Sequence, residues 1–126
     1  MKRDLNLVRE ILLRVEPLPA HFGEGVSLKV GEPPLDIPGY SNEEIAYHIR
    51  IMTQGDLISS AGFQRDGVTI PDFRGLRWQG HEFLDDIRNP EAWKDTMGKI
   101  DKYGGAGMSV AWELAKAYMR SKGLPL

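Results

Sequence analysis

The stretch from Tyr40 to Leu84 constrains the fold more than any other part of this chain. Ser41 and Glu44 stand at capping-box spacing, where the hydroxyl bonds the Glu44 amide and the carboxylate reaches back to the Ser41 amide. After them Ile45, Ile49 and Met52 recur on one face of a helix that advances about 100° per residue, with His48 on the flank. Gly55 stops that helix. A strand pattern begins at Leu57, turns at Asp66-Gly67 and returns through Val68, Thr69 and Ile70. The Asp-Gly pair suits a hairpin because glycine tolerates the positive φ such turns need. Pro71 is expected to interrupt the return strand, with Phe73 to Arg77 continuing it. A second helix opens near Trp78 and runs to Arg88, with Phe83, Leu84 and Ile87 inward.

Helix, hairpin and helix in that order form the core of a winged-helix domain. The expected class is therefore α+β: a single winged-helix-like domain over 1–126, with a core over about 1–89 and a C-terminal helical extension over about 90–126. A length of 126 residues suits one modest core. Upstream, Leu5, Val8, Ile11, Leu12 and Val15 give an amphipathic helix over 4–16, capped by Asp4 and ended by Pro17 and Pro19. Leu7 and Leu13 widen its apolar girth, so it is either deeply buried or shared with a second subunit. Residues 17–39 hold five of the eight prolines. Between these breakers Val26 to Val30 alternates with period two and Leu35-Asp36-Ile37 follows, which reads as two short strands in an edge hairpin. Downstream, Asn89-Pro90 starts a helix with Trp93, Met97 and Ile100 inward. Gly104 to Gly107 breaks the chain as a loop, and a last helix runs from Ser109 to Lys122 with Trp112, Ala115 and Met119 inward, stopped by Gly123.

Composition narrows the function classes. No cysteine is present, which removes disulfides, thiolate metal sites and cysteine nucleophiles together. His21, His48 and His81 are too scattered to pair as metal ligands, and no phosphate loop, GxSxG or HExxH pattern occurs. Asp85-Asp86 diverge by about 100° on a helix and read as solvated charges rather than an acid–base pair. The reading is thus a non-enzymatic protein with no cofactor and no metal. No apolar run approaches the roughly 20 residues needed to span a bilayer, and the N-terminus lacks a signal-peptide core, so a cytoplasmic protein is expected.

A formal net charge of −2 offers no general attraction to nucleic acid, so DNA binding must rest on a local patch. Residues 64–126 carry 10 Lys/Arg against 9 Asp/Glu, whereas residues 1–63 carry 6 against 9. On the central helix Tyr47, Arg50 and Gln54 point away from the apolar stripe, and Arg and Gln can bond guanine and adenine bidentately. On the hairpin, Arg65, Arg74 and Arg77 are placed to hold phosphates, offset by Asp66 and Asp72. Glu43 and Glu44 open the helix and would repel phosphates there. Three readings of the helix face stay open: a solvated surface, a DNA-reading surface and a protein contact. The expected partners are double-stranded DNA or a protein, with the chain itself a homodimer and no membrane involved.

The runs Met1 to Arg9 with Ile11-Leu12, Gly39-Tyr40-Ser41 with Glu43 to His48, Gly55 to Ile58, and Leu76 to Asn89 resemble an uncharacterised bacterial and phage family, domain of unknown function 2513. They cover most of residues 1–93, and the run Trp78-Gln79-Gly80-His81-Glu82-Phe83-Leu84 is fairly specific. The resemblance implies a winged-helix-like domain, often encoded in prophages, and supplies no catalytic or binding residue. Two functions are therefore expected in parallel, a DNA-binding transcriptional regulator and a protein-interaction module that has given up DNA. A contiguous positive patch would mark the first, and an apolar or mixed patch around Tyr47 and Ile51 the second.

Overall fold

The computed structural model describes residues 1–66, 68–102, 105 and 107–123, and the side chains among them other than those of residues 63–65, 68 and 69. The architecture is α+β and winged-helix-like, with five helices and a three-stranded antiparallel sheet among the described residues. Two compact units divide the chain, Met1–His81 and Glu82–Leu126.

In the first unit, α1 (Leu5–Val15) begins where Asp4 Oδ1 accepts from the amides of Asn6 at 2.8 Å and Leu7 at 3.3 Å. Leu5, Leu7, Val8, Ile11, Leu12 and Val15 are all buried, while Leu13 is half-buried. The proline-rich segment that follows departs from the expected hairpin. Only β1 (Val26–Ser27) forms a strand, and it joins the hairpin sheet rather than making one of its own. Leu35 to Ile37 is not a strand. The Gly31 amide donates to the Leu35 carbonyl at 3.1 Å and the Leu35 amide to the Glu32 carbonyl at 2.7 Å, closing a turn around Pro33-Pro34. Those two prolines carry no N–H for a ladder, yet Leu35 and Ile37 still bury their side chains. Hydrophobic pattern survived here without the strand it suggested.

The capping box at Ser41 is formed as the spacing requires, and α2 (Asn42–Gln54) runs to Gly55. After it β2 (Ile58–Arg65) and β3 (Val68–Leu76) pair antiparallel in the sheet order β1-β3-β2. Asp66 adopts φ 53°, the left-handed conformation of a hairpin turn, while Gly67 lies outside the described residues. Pro71 does not interrupt β3; it pairs with Gly62 in the middle strand. Its carbonyl accepts from the Leu28 amide at 2.9 Å, on the β1 side. The N–H it lacks would point to that same side, where β1 has already ended at Ser27, so little of the ladder is lost.

One polar cluster ties α1 to α2. His48 is not on the flank of α2 but fully buried. Its Nε2 accepts from the Asp4 amide at 2.8 Å, and its Nδ1 lies 2.8 Å from the Glu44 carbonyl. The Tyr40 hydroxyl donates to Asp4 Oδ2 at 3.2 Å. Partial burial, followed by the Asp4 carboxylate, pushes the Tyr40 phenol from the ordinary 10.0 up to about 12. The folded chain thus holds this proton more tightly than the unfolded one. The resulting stability is complete below about pH 10 and is lost as the pH rises toward about 12. Denaturant melts across that window should show a steeper alkaline loss for the native chain than for Tyr40→Phe; parallel curves would refute the linkage.

The second unit contains most of α3 (Trp78–Ile87), with α4 (Pro90–Lys102) packed on α5 (Met108–Ser121). Asn89 Oδ1 caps α4 through the amides of Glu91 and Ala92. The buried face of α4 is Ala92, Trp93, Thr96 and Ile100, with the expected Met97 only half-buried. Asp86, expected to be solvated, is buried and accepts from Trp112 Nε1 at 2.6 Å. Trp112 stands edge-on to Phe83 with centroids 5.2 Å apart, and Lys116 lies over its ring at 4.9 Å. Asp85 remains outside and pairs with Arg88. The expected loop at Gly104 to Gly107 falls partly outside the described residues.

Candidate nucleic-acid interface

Helical geometry decides what α2 shows to solvent. Because Ile45, His48, Ile49 and Met52 face inward, the opposite side carries Glu43, Arg50 and Gln54, all exposed. Tyr47 is half-buried and stands edge-on to His48, centroids 5.8 Å apart, so its ring is held by the core rather than free on the surface. Among the described residues Arg50 has no ion-pair partner. Glu44 is engaged in the capping box, so Glu43 is the carboxylate at the head of α2 without that duty. Thr53 Oγ1 bonds back to the Ile49 carbonyl and also meets Ser60 Oγ, both at 2.8 Å, which fastens the last turn of α2 to β2.

The hairpin arginines meet three different fates. Arg65 ends β2 opposite Val68, and its side chain lies outside the described part of the structure. Arg74 follows Phe73, whose ring is buried, so period-two alternation turns Arg74 and Asp72 to the outer side of the sheet. There Arg74 Nε and Nη2 both reach Asp72 Oδ2 at 3.1 Å. Arg77 lies elsewhere: its amide donates to the Leu57 carbonyl at 2.9 Å, and its Nε stands 3.7 Å from Asp56 Oδ1. Asp56 follows two residues after Gln54, so Arg77 sits at the C-terminal end of α2. The fold therefore gathers Arg77 with the α2 end and sends Arg74 to the outer sheet face.

Two features escape the sequence reading. Asp56 as the partner of Arg77 is 21 positions away and belongs to a loop, so no local period reveals it. Trp78 is 81% exposed at the start of α3, although a tryptophan at a helix start reads by default as core. Among the described residues no group of three or more His, Asp or Glu is placed to hold a metal ion, and no helix is long and apolar enough to cross a membrane.

The model of a family described as hypothetical protein (DUF2513) matches residues 2–107. An uncharacterized protein of Haemophilus influenzae (strain ATCC 51907 / DSM 11121 / KW20 / Rd) is 32% identical over 93 residues, which covers 74% of this chain and 73% of the relative. No solved structure matches the chain.

Proposed function

The chain belongs to the DUF2513 family of hypothetical proteins, and from that premise we propose that it is a DNA-binding regulator that docks through the C-terminal half of α2. The observation that carries this reading is Arg50, exposed, unpaired among the described residues and one helical turn from exposed Gln54. Those two side chain types match the bidentate edges of guanine and adenine in a major groove. Tyr47 braces the base of that face, and Arg77 flanks its end, where it would meet a phosphate. Arg65 and Arg74 extend phosphate contact along the hairpin. Glu43 keeps the first turn of α2 away from the backbone, which leaves the Arg50–Gln54 end as the reading end.

The ion pairs of Arg74 and Arg77 weigh against this, but by little. The side chains of Arg74 and Arg77 are 54% and 56% exposed, and pairs so exposed contribute only roughly 0–1 kcal/mol, so a phosphate competes with them readily. The same pairs favour the second reading, a protein-interaction module, because they leave a surface of mixed rather than positive charge.

Fluorescence anisotropy with random-sequence duplex DNA, titrated from low salt upward, separates the two. Binding should weaken steeply with salt, and replacing Arg65, Arg74 and Arg77 together by Ala should lower the log–log salt slope by about 3 units. Arg50→Ala with Gln54→Ala should reduce discrimination among sequences more than it changes that slope. Absence of binding even at low salt would remove the DNA reading in favour of the protein module.

A further inference from the structure

We propose that Trp78 is a stacking platform for an unpaired nucleobase, which extends the DNA reading above and rests on it: the target is a duplex that carries a single-stranded tail or junction. Trp78 is the most exposed tryptophan of the chain at 81%, and among the described residues no hydrogen bond or ring contact engages its indole. Its backbone is nevertheless held in place. The preceding amide, that of Arg77, is bonded to the Leu57 carbonyl at 2.9 Å, and Gly80 lies directly against that same carbonyl two residues later. An aromatic ring of this size presented to water from a fixed position suits contact with a flat apolar face.

The neighbours of Trp78 decide which face. Arg77, Gln79, His81 and Glu82 are exposed and polar on either side of it in the chain, with Arg77 paired to Asp56. A protein-docking hot spot sits at the centre of a wider apolar patch. A lone tryptophan in this polar setting, beside an arginine held only by an exposed ion pair, instead suits a base-stacking site, where the ring takes the base and Arg77 takes the backbone. Inside a duplex both faces of every base are already covered by its neighbours, so away from the duplex ends the ring can serve only a base that is unpaired. The Arg77–Asp56 contact places the site beside the end of α2, next to Gln54. A strand leaving the duplex at that end would pass over Trp78.

The test uses the full chain and two labelled DNAs, a blunt duplex and the same duplex with a single-stranded tail. The tail should raise affinity by roughly ten- to a hundredfold, which is the worth of stacking one base on an aromatic ring. Trp78→Ala should lose that gain while keeping its affinity for blunt duplex, and Trp78→Phe should keep most of the gain. Tryptophan emission should also be quenched by the tailed DNA and not by the blunt one. An equal affinity for both DNAs, or a gain that Trp78→Ala retains, overturns the platform and leaves the duplex reading standing. Binding of the tailed DNA alone, through Trp78, upholds the platform and overturns duplex recognition by α2. Failure to bind either DNA overturns both.

Discussion

Gly80→Ala is expected to lower the stability of the chain by about 1–3 kcal/mol, although it replaces a poor helix former by the best one. Helix propensity alone would make the substitution favourable by about 1 kcal/mol. Space decides against it. A Cβ at position 80 would overlap the Leu57 carbonyl oxygen and stand 2.9 Å from the carbonyl carbon and 3.3 Å from the Leu57 Cα. These are backbone atoms and cannot swing aside as a side chain tip would. The carbonyl is also already engaged, accepting from the Arg77 amide. Either the first turn of α3 retreats from Leu57, or the chain yields at Leu57, just before β2. Overpacking of this kind costs typically about 1–3 kcal/mol and occasionally more, and loss of the Arg77 bond adds about 1 kcal/mol. Gly98 provides the internal contrast. It lies in α4 with nothing within 4 Å of its would-be Cβ, so Gly98→Ala should stabilise by up to about 1 kcal/mol. Urea unfolding midpoints of the two variants should therefore move in opposite directions. A neutral or stabilising Gly80→Ala would show that α3 does not rest on Leu57 as described.

The fold was legible wherever its cause was local. Ser41 with Glu44, Asp4, and Asn89 with Pro90 announce three helix starts through side chain to backbone bonds only two or three residues long, and all three form. Where the cause was distant, polarity misled. His48 lies three positions after Ile45 and one before Ile49, so the helical period already puts it close to the buried stripe. Only the Asp4 amide, 44 positions away, explains why an imidazole can remain there. Asp86 is the same case, since its donor on Trp112 is 26 positions on. Leu35 and Ile37 bury themselves without a strand because pairing needs a free N–H ladder opposite, which alternation cannot report.

The candidate site divides along the same line. Exposure of Arg50 and Gln54 follows from the period of α2, and the offset of Arg74 by Asp72 follows from their shared face two residues apart on β3. The partner of Arg77 and the exposure of Trp78 come from how the end of α2, the end of β3 and the first turn of α3 meet within the first unit. Much of the resemblance to the family is explained by structure rather than by surface chemistry. Asp4, Tyr40 and His48 fasten α1 to α2, and Ser41 with Glu44 caps α2; Gly80 lies against Leu57, and Phe83 and Leu84 are buried. A motif of this kind specifies a scaffold, which is why function has to be argued from Arg50, Gln54 and Trp78.

His48→Phe is the second substitution with a large expected effect, a loss of about 2 kcal/mol or more, since the larger ring must also be fitted into a fully buried site. The Asp4 amide can only donate and the Glu44 carbonyl can only accept, so the imidazole must carry a proton on Nδ1 and leave Nε2 as the acceptor. Phenylalanine fills the site but answers neither group. The Asp4 amide then loses its partner at the very residue that caps α1, and an unsatisfied buried donor costs about 1–3 kcal/mol. The Glu44 carbonyl suffers less, because α2 itself supplies it with a helical amide. His48→Ala should cost more, about 3–4 kcal/mol, since a cavity is added to the same lost bonds. His48→Gln is the informative intermediate: its amide oxygen can accept from Asp4 where the ring nitrogen did. The expected order of urea midpoints is native, Gln, Phe, Ala. If Phe proved as stable as the native chain, shape alone would hold α1 against α2, and the bridge from Asp4 through His48 to Glu44 would contribute nothing to the fold.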